Sequence, residues 1–204
     1  MTGLHFYIDV DDVLAETTRA LSRMARDHFG KTVRFEEMRV FDLSVSLGLN
    51  AAEFPAFMAA AHERDFLLGL AAIPGAADTL AAWRDAGAEI SVVTGRPPEC
   101  RATTLDWLED QGIAFDRLEF IDKYARYGDS GAATPETLRD RGYHAVVEDS
   151  DAMALDLARH SDARVFLYDR PWNQDSAAEA HGARRVRDWG EIQELIQELI
   201  ETGR

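Results

Sequence analysis

The stretch His5-Phe6-Tyr7-Ile8-Asp9-Val10-Asp11-Asp12-Val13-Leu14 decides the fold. Its apolar, β-branched and aromatic residues predict a strand over Leu4–Val10. A carboxylate at the end of a buried apolar strand is costly unless something compensates it. Asp9 and Asp11 stand two apart and project into one site where the strand ends. Capping of the following helix by Asp11 or Asp12 is the plainer reading. Three aspartates in four residues exceed what a cap requires and suggest a divalent cation held by oxygen ligands.

Outward from this stretch, short apolar runs alternate with helical patterns. Further strands are expected at Glu89–Thr94, Leu118–Asp122, Ala145–Glu148 and Arg164–Tyr168. Helices are expected over 77–86 and 99–111, stopped by Gly87 and Gly112, and over 135–141, 151–160 and about 189–201. Ile192, Leu195, Ile196, Leu199 and Ile200 give the last one an apolar face. Such alternation predicts an α/β fold, a parallel sheet with helices on both faces. Residues 16–73 hold no convincing strand. There Leu14, Thr17, Leu21, Met24 and His28, then Phe54, Phe57, Met58 and Ala61, repeat at helical spacing. They read as a small all-helical cap inserted after the first strand, with 1–15 and 74–204 as the core and Pro74-Gly75 marking the return.

Ligands of parallel α/β sheets bind beyond the carboxyl ends of the strands, so the residues there matter most. The second expected strand ends in Thr94-Gly95-Arg96-Pro97, a hydroxyl and glycine turn suited to an anion. The third ends at Asp122-Lys123. Lys123, one of only two lysines against 20 arginines, would neutralise an anion there, or be an ordinary surface lysine. The fourth ends in Glu148-Asp149-Ser150, suited to a cation or to helix capping. Together these ends supply a nucleophile, a proton donor, anion-binding groups and metal ligands in one crevice.

The chain of 204 residues carries 37 acidic and 22 basic residues, a net charge of −15, which disfavours nucleic-acid polymers and anionic membranes as partners. Its single cysteine, Cys100, excludes an intrachain disulfide and a cysteine-rich zinc site. No signal peptide or membrane span is expected, so the sequence reads as a cytoplasmic protein; a homodimer is compatible with it. No Gly-x-Gly-x-x-Gly follows the first strand, which argues against a dinucleotide-dependent oxidoreductase.

With Asp9-Val10-Asp11, Thr94, Lys123 and Glu148-Asp149 in this order, the chain resembles the haloacid dehalogenase-like superfamily of phosphohydrolases. Within it, the chain is most similar to the 5'(3')-deoxyribonucleotidase family. That likeness rests on Thr94-Gly95-Arg96-Pro97, Thr104 with Trp107-Leu108, Val147-Glu148-Asp149-Ser150 and Asp169-Arg170-Pro171-Trp172-Asn173. Asp12 stands where many members have glycine, and Glu148 replaces the first aspartate of a common Asp-Asp pair. The resemblance implies a Rossmann-like sheet, a cap after the first motif and phosphoryl transfer through an aspartyl-phosphate. It implies Asp9 as nucleophile and Asp11 as acid and base, with Thr94, Lys123 and the Gly95 amide on the phosphoryl oxygens. It further implies Mg2+ held by Asp9, the Asp11 backbone carbonyl and Asp149, with Glu148 the other carboxylate of the metal set.

Substrate choice is expected to lie in the cap and nearby loops. Phe29, Phe35, Phe41, Phe54, Phe57 and Phe66 offer aromatic faces, although helical spacing fits a cap core as well. Arg96, Arg101, Arg170 and Trp172 are further candidates, with Gly95, Arg96, Phe41 and Trp172 the preferred substrate contacts. The expected substrate is a nucleoside monophosphate; a sugar phosphate or phosphoglycolate is the alternative, and a non-catalytic binder of phosphorylated ligands the more distant one.

Overall fold

A computed structural model describes residues 3–123 and 132–202. In chain order it contains β1 (His5–Asp9), α1 (Thr17–Phe29), α2 (Leu43–Ser46), α3 (Glu53–Ala61), α4 (Arg64–Leu68), α5 (Ala76–Asp85), β2 (Glu89–Thr94) and α6 (Arg101–Asp110). There follow β3 (Arg117–Phe120), α7 (Pro135–Arg139), β4 (Ala145–Glu148), α8 (Asp151–His160), β5 (Arg164–Tyr168), β6 (Arg184–Val186) and α9 (Trp189–Thr202).

The six strands form one parallel sheet in the order β3-β2-β1-β4-β5-β6. Strand order reverses beside β1, so a crevice opens above the carboxyl ends of β1 and β4. Register places Asp9 beside Val93 and Ile8 beside Val147. The motif residues at the ends of β1 and β4 are thereby neighbours although 139 residues of chain separate Asp9 from Glu148.

Alternation along β1 sends its side chains to opposite faces. Phe6 and Ile8 pack with Leu80, Trp83, Trp107, Leu108, Trp189, Ile192 and Ile196 of α5, α6 and α9. Tyr7 packs on the other face with Leu138, Met153, Ala154 and Leu157 of α7 and α8. Both faces are therefore covered, which is why the inner strands read as nearly continuous apolar runs.

β6 is the element the sequence did not show. Its three residues, Arg184-Arg185-Val186, carry one apolar side chain, and strand pairing with β5 rather than pattern makes them a strand. The third strand ends at Phe120 rather than Asp122, and Asp122 is fixed instead by its amide donating to the Ala133 carbonyl.

Between β1 and α5 the chain is helical. α1 ends at Gly30, in the left-handed conformation with φ 66°. Leu21, Met24, Met38, Leu47, Phe57 and Ala61 form an apolar cluster distinct from the two on the sheet. These helices lie over the crevice above Asp9. Among the described residues no helix is long and apolar enough to cross a membrane.

Candidate active site

β1 delivers Asp9 to the crevice, and the turn after it is built by aspartates. Asp12 adopts φ 61°, the one positive-φ residue other than glycine among those described. Aspartate tolerates this conformation better than most side chains do. Its carboxylate accepts bonds from the Thr18 amide at 3.1 Å and the Thr18 hydroxyl at 2.5 Å, at the start of α1. The capping reading is thus realised by Asp12, from a position outside the helix. Burial pushes the Asp12 carboxyl up to about 7, against the pull of the Thr18 bonds and Arg170.

Lys123 is a buried lysine, its side chain 7% exposed, with Nζ 2.9 Å from Asp9 Oδ1 and 2.6 Å from Glu148 Oε1. Burial works against its charge, but the two carboxylates win and hold the ammonium well above its ordinary range. Gly95 lets this happen: a Cβ there would stand 3.3 Å from Lys123 Cδ. Glu148 also accepts from the Tyr7 hydroxyl at 3.0 Å and from the Asp149 and Ser150 amides, both at 2.9 Å. Four donors therefore use its two oxygens. Asp149 is differently placed: the Trp172 indole donates to Oδ2 at 3.0 Å, and Oδ1 accepts no bond among the described residues.

Asp9, Glu148 and Asp149 each place a carboxylate oxygen within 4.8 Å of the others, all buried. Burial raises the Asp9 and Asp149 carboxyls well above the usual range, and repulsion from Glu148 adds to it. One lysine faces three carboxylates, so the cluster has the charge and the hard oxygen donors that suit a divalent cation such as magnesium.

Asp11 faces away from that cluster toward Arg96. Arg96 is almost wholly buried, and its guanidinium bonds both Asp11 oxygens while Nη1 reaches Thr104 Oγ1 at 3.3 Å. Thr17 Oγ1 donates to Asp11 Oδ1 at 2.7 Å. Burial alone would raise the Asp11 carboxyl, but Arg96 and Thr17 overcome it and hold it below the usual range.

A cavity of about 480 Å³ joins these groups to the cap. Asp9, Asp11, Asp12, Gly95, Arg96, Lys123, Asp149 and Trp172 line its floor and side, and Met38, Val40, Phe41, Leu43, Phe54 and Met58 line its roof. Two candidates do not reach it. Thr94 is fully buried with Oγ1 accepting from the Arg96 amide, and Glu148 lies beneath Lys123. Of the cap phenylalanines, Phe41 and Phe54 line the cavity, whereas Phe29 and Phe57 pack on each other in the cap core. Arg101 lies over the Phe120 ring, and Arg170 holds the Asp12 carbonyl. Sequence reasoning missed Tyr7, Thr17 and Thr18; the hydroxyls directly after the acidic turn were the signal for the last two.

A six-stranded parallel sheet of this order, with a helical segment after β1 and acidic groups at the ends of β1 and β4, is the fold of solved haloacid dehalogenase-like hydrolases. No family model matches it. A protein of Halalkalibacterium halodurans named a "putative nucleotidase" is 24% identical over 96% of this chain and 93% of its own. A hydrolase of the superfamily from Deinococcus radiodurans, solved with bound phosphate and sodium, matches with a TM-score of 0.63 at 18% identity, covering 97% of this chain and 96% of its own. A Bacillus subtilis hydrolase named to the same superfamily, solved bound to magnesium, also gives 0.63, at 15% identity over 97% and 100% of the two chains.

Proposed function

We propose that the chain is a magnesium-dependent phosphomonoesterase that hydrolyses nucleoside monophosphates through an aspartyl-phosphate, with residues 16–73 as the cap that selects substrate. The observation that carries the reading is one cavity that joins Asp9, Asp11, Lys123 and Asp149 to a roof in which apolar and aromatic side chains alternate with Asp42, Ser44, Ser46 and His62. The fold shared with a phosphate-bound hydrolase supports the chemistry, and the name of the Halalkalibacterium relative supports the substrate.

Asp9 attacks phosphorus, the phosphorus–oxygen bond to the nucleoside breaks, and an acyl-phosphate forms on Asp9. Asp11 gives a proton to the departing alkoxide, then takes one from the water that attacks the acyl-phosphate. The ionised Asp11 favoured by Arg96 is competent for the second step; the first requires it to acquire a proton and leave Arg96. Lys123 neutralises a phosphoryl oxygen over the Gly95 amide, while Thr94 supports that turn from below. Asp9, the Asp11 carbonyl and Asp149 would hold magnesium, which when bound offsets the charge shared by carboxylate and phosphate. Glu148, its acceptors already used, holds Lys123 rather than the metal.

The roof favours nucleosides because none of its lining residues is lysine or arginine, whereas Phe41 and Phe54 offer faces for a base. Phosphate release from nucleoside monophosphates, sugar phosphates and phosphoglycolate, with magnesium and with chelator, tests the reading. Magnesium-dependent preference for a nucleotide, lost in Asp9→Asn, is the expected result. Equal or better turnover of the non-nucleotides overturns the substrate, and wild-type turnover by Asp9→Asn overturns the mechanism.

A further inference from the structure

Trp172 takes part in two structures at once. Its indole Nε1 donates to Asp149 Oδ2 at 3.0 Å. Its ring packs, partly buried, against the apolar cluster of Leu21, Met24, Met38 and Phe57. Among the described residues, every other member of that cluster comes from the helical segment 16–73, and Trp172 alone comes from beyond β5. Phe35 of the segment meets the Trp172 ring edge-on at 5.6 Å. The Arg19 guanidinium covers Phe35 in turn, 3.9 Å from its centroid.

The backbone that carries Trp172 is held firmly to the sheet. Pro171 before it has a fixed φ. Asn173 after it is almost wholly buried and uses its whole amide. Nδ2 donates to the Asp149 carbonyl at 2.9 Å and the Tyr168 carbonyl at 2.8 Å. Oδ1 accepts from the Arg170 amide at 3.1 Å and from Arg185 Nη1 at 2.8 Å. The turn at 171–173 thus ties the ends of β4 and β5 together and grips Asp149 twice, its backbone by Asn173 and its carboxylate by Trp172.

A carboxylate turns readily about its last torsion, and a donor on one oxygen restricts that turn. The indole N–H can only donate. Asp149 Oδ1 accepts no bond among the described residues, so Trp172 occupies one oxygen and leaves the other for a ligand. Partners of this kind orient a metal-binding group and tune its affinity. We propose that Trp172 is the positioning residue of the Asp149 carboxylate, and that through it the affinity for a divalent cation depends on how segment 16–73 is seated. The inference rests on Asp149 being a magnesium ligand. Such coupling is reciprocal, so the cation also tightens the seat of the segment.

Calorimetric titration of the full chain, first stripped with chelator, with magnesium chloride tests this. Trp172→Phe keeps a ring for Phe35 and removes the N–H; it should raise the magnesium Kd about tenfold or more. Phe35 lines no part of the catalytic cavity, yet Phe35→Ala should raise the Kd several-fold, the worth of about one aromatic contact. A merely structural role would lower the unfolding midpoint in chelator and leave the Kd in place. An unchanged Kd in Trp172→Phe overturns the proposal, and one in Phe35→Ala overturns the coupling. Acrylamide quenching reads the coupling from the other side. Trp83, Trp107 and Trp189 are at most 1% exposed, so accessible emission belongs to Trp172. Magnesium should reduce quenching in wild type and leave that of Trp172→Phe unaltered; quenching indifferent to magnesium in both overturns the coupling. Failure of the magnesium reading is a different result: wild type itself would bind no magnesium, which removes the inference with it.

Discussion

Arg96 grips both carboxylate oxygens of Asp11, with Nη2 2.7 Å from Oδ1 and Nε 3.1 Å from Oδ2, although 85 residues separate the two. The arginine is fixed in turn by Thr104 and by burial, its side chain being only 3% exposed. The pair sets both the orientation and the charge of Asp11. Arg96 thus lines the cavity with its guanidinium held by Asp11 and Thr104, and in the proposed mechanism it acts as a positioning residue.

Replacing it should therefore change the pH dependence as well as the rate. In Arg96→Gln the carboxyl of Asp11 loses its main stabilising charge and rises, since burial then dominates. If the ionised form activates water in the second step, the acid limb of the kcat profile moves to higher pH. Loss of orientation lowers kcat by roughly a hundredfold. A profile that falls uniformly, with its acid limb in place, would reject this role.

Glu148 and Asp149 separate by what their oxygens already do. Asp149→Asn should remove most of the magnesium-induced stabilisation, which for wild type at a hundred times Kd amounts to about 2.7 kcal/mol. Glu148→Gln places an amide donor against the donors Glu148 now accepts, at a cost of roughly 1–3 kcal/mol without metal. It should retain the magnesium response. Thermal unfolding with and without magnesium checks both, and the opposite pattern would make Glu148 the ligand.

Asp12 gives the metal-free protein a pH dependence of definite sign. Its folded carboxyl is raised to about 7. Its contribution is therefore fully present below the unfolded value near 4 and is lost as pH rises through about 7. Asp12→Asn keeps a side chain that tolerates positive φ and removes the charge. Its stability relative to wild type should rise between pH 5 and pH 8 by roughly 1–3 kcal/mol. Urea unfolding in chelator at the two pH values measures this; parallel behaviour of the two proteins would show that the folded Asp12 carboxyl is not raised and is already ionised at pH 5.

The acidic turn was legible because an apolar run that ends in carboxylates is anomalous within ten residues. The sheet was legible because its inner strands are buried on both faces and carry the pattern in themselves. What lay hidden depends on contacts across the chain. Nothing local to Lys123 distinguishes a surface lysine from one held between Asp9 and Glu148. Nothing local to Arg96 announces that its guanidinium holds both oxygens of Asp11. β6 exists because β5 has an open edge, a property of the sheet rather than of Arg184-Arg185-Val186. Thr94 held its place in the motif, yet its hydroxyl serves the turn beneath the cavity.

Phe41 offers the sharpest test of how the roof works. It is 43% exposed although it lines the cavity, so part of its ring remains to be covered by a bound molecule. Stacking of a base on such a ring is worth about 1–3 kcal/mol. Phe41→Ala should therefore raise KM for a nucleoside monophosphate roughly tenfold while kcat changes little, as loss of uniform binding requires. Glycerol 2-phosphate, which has no base, should be hydrolysed by the variant and wild type alike. Steady-state kinetics on the two substrates provide the comparison. An equal loss on both would mean that Phe41 shapes the cap rather than contacts the nucleoside, and would leave Phe54 as the remaining aromatic face of the roof.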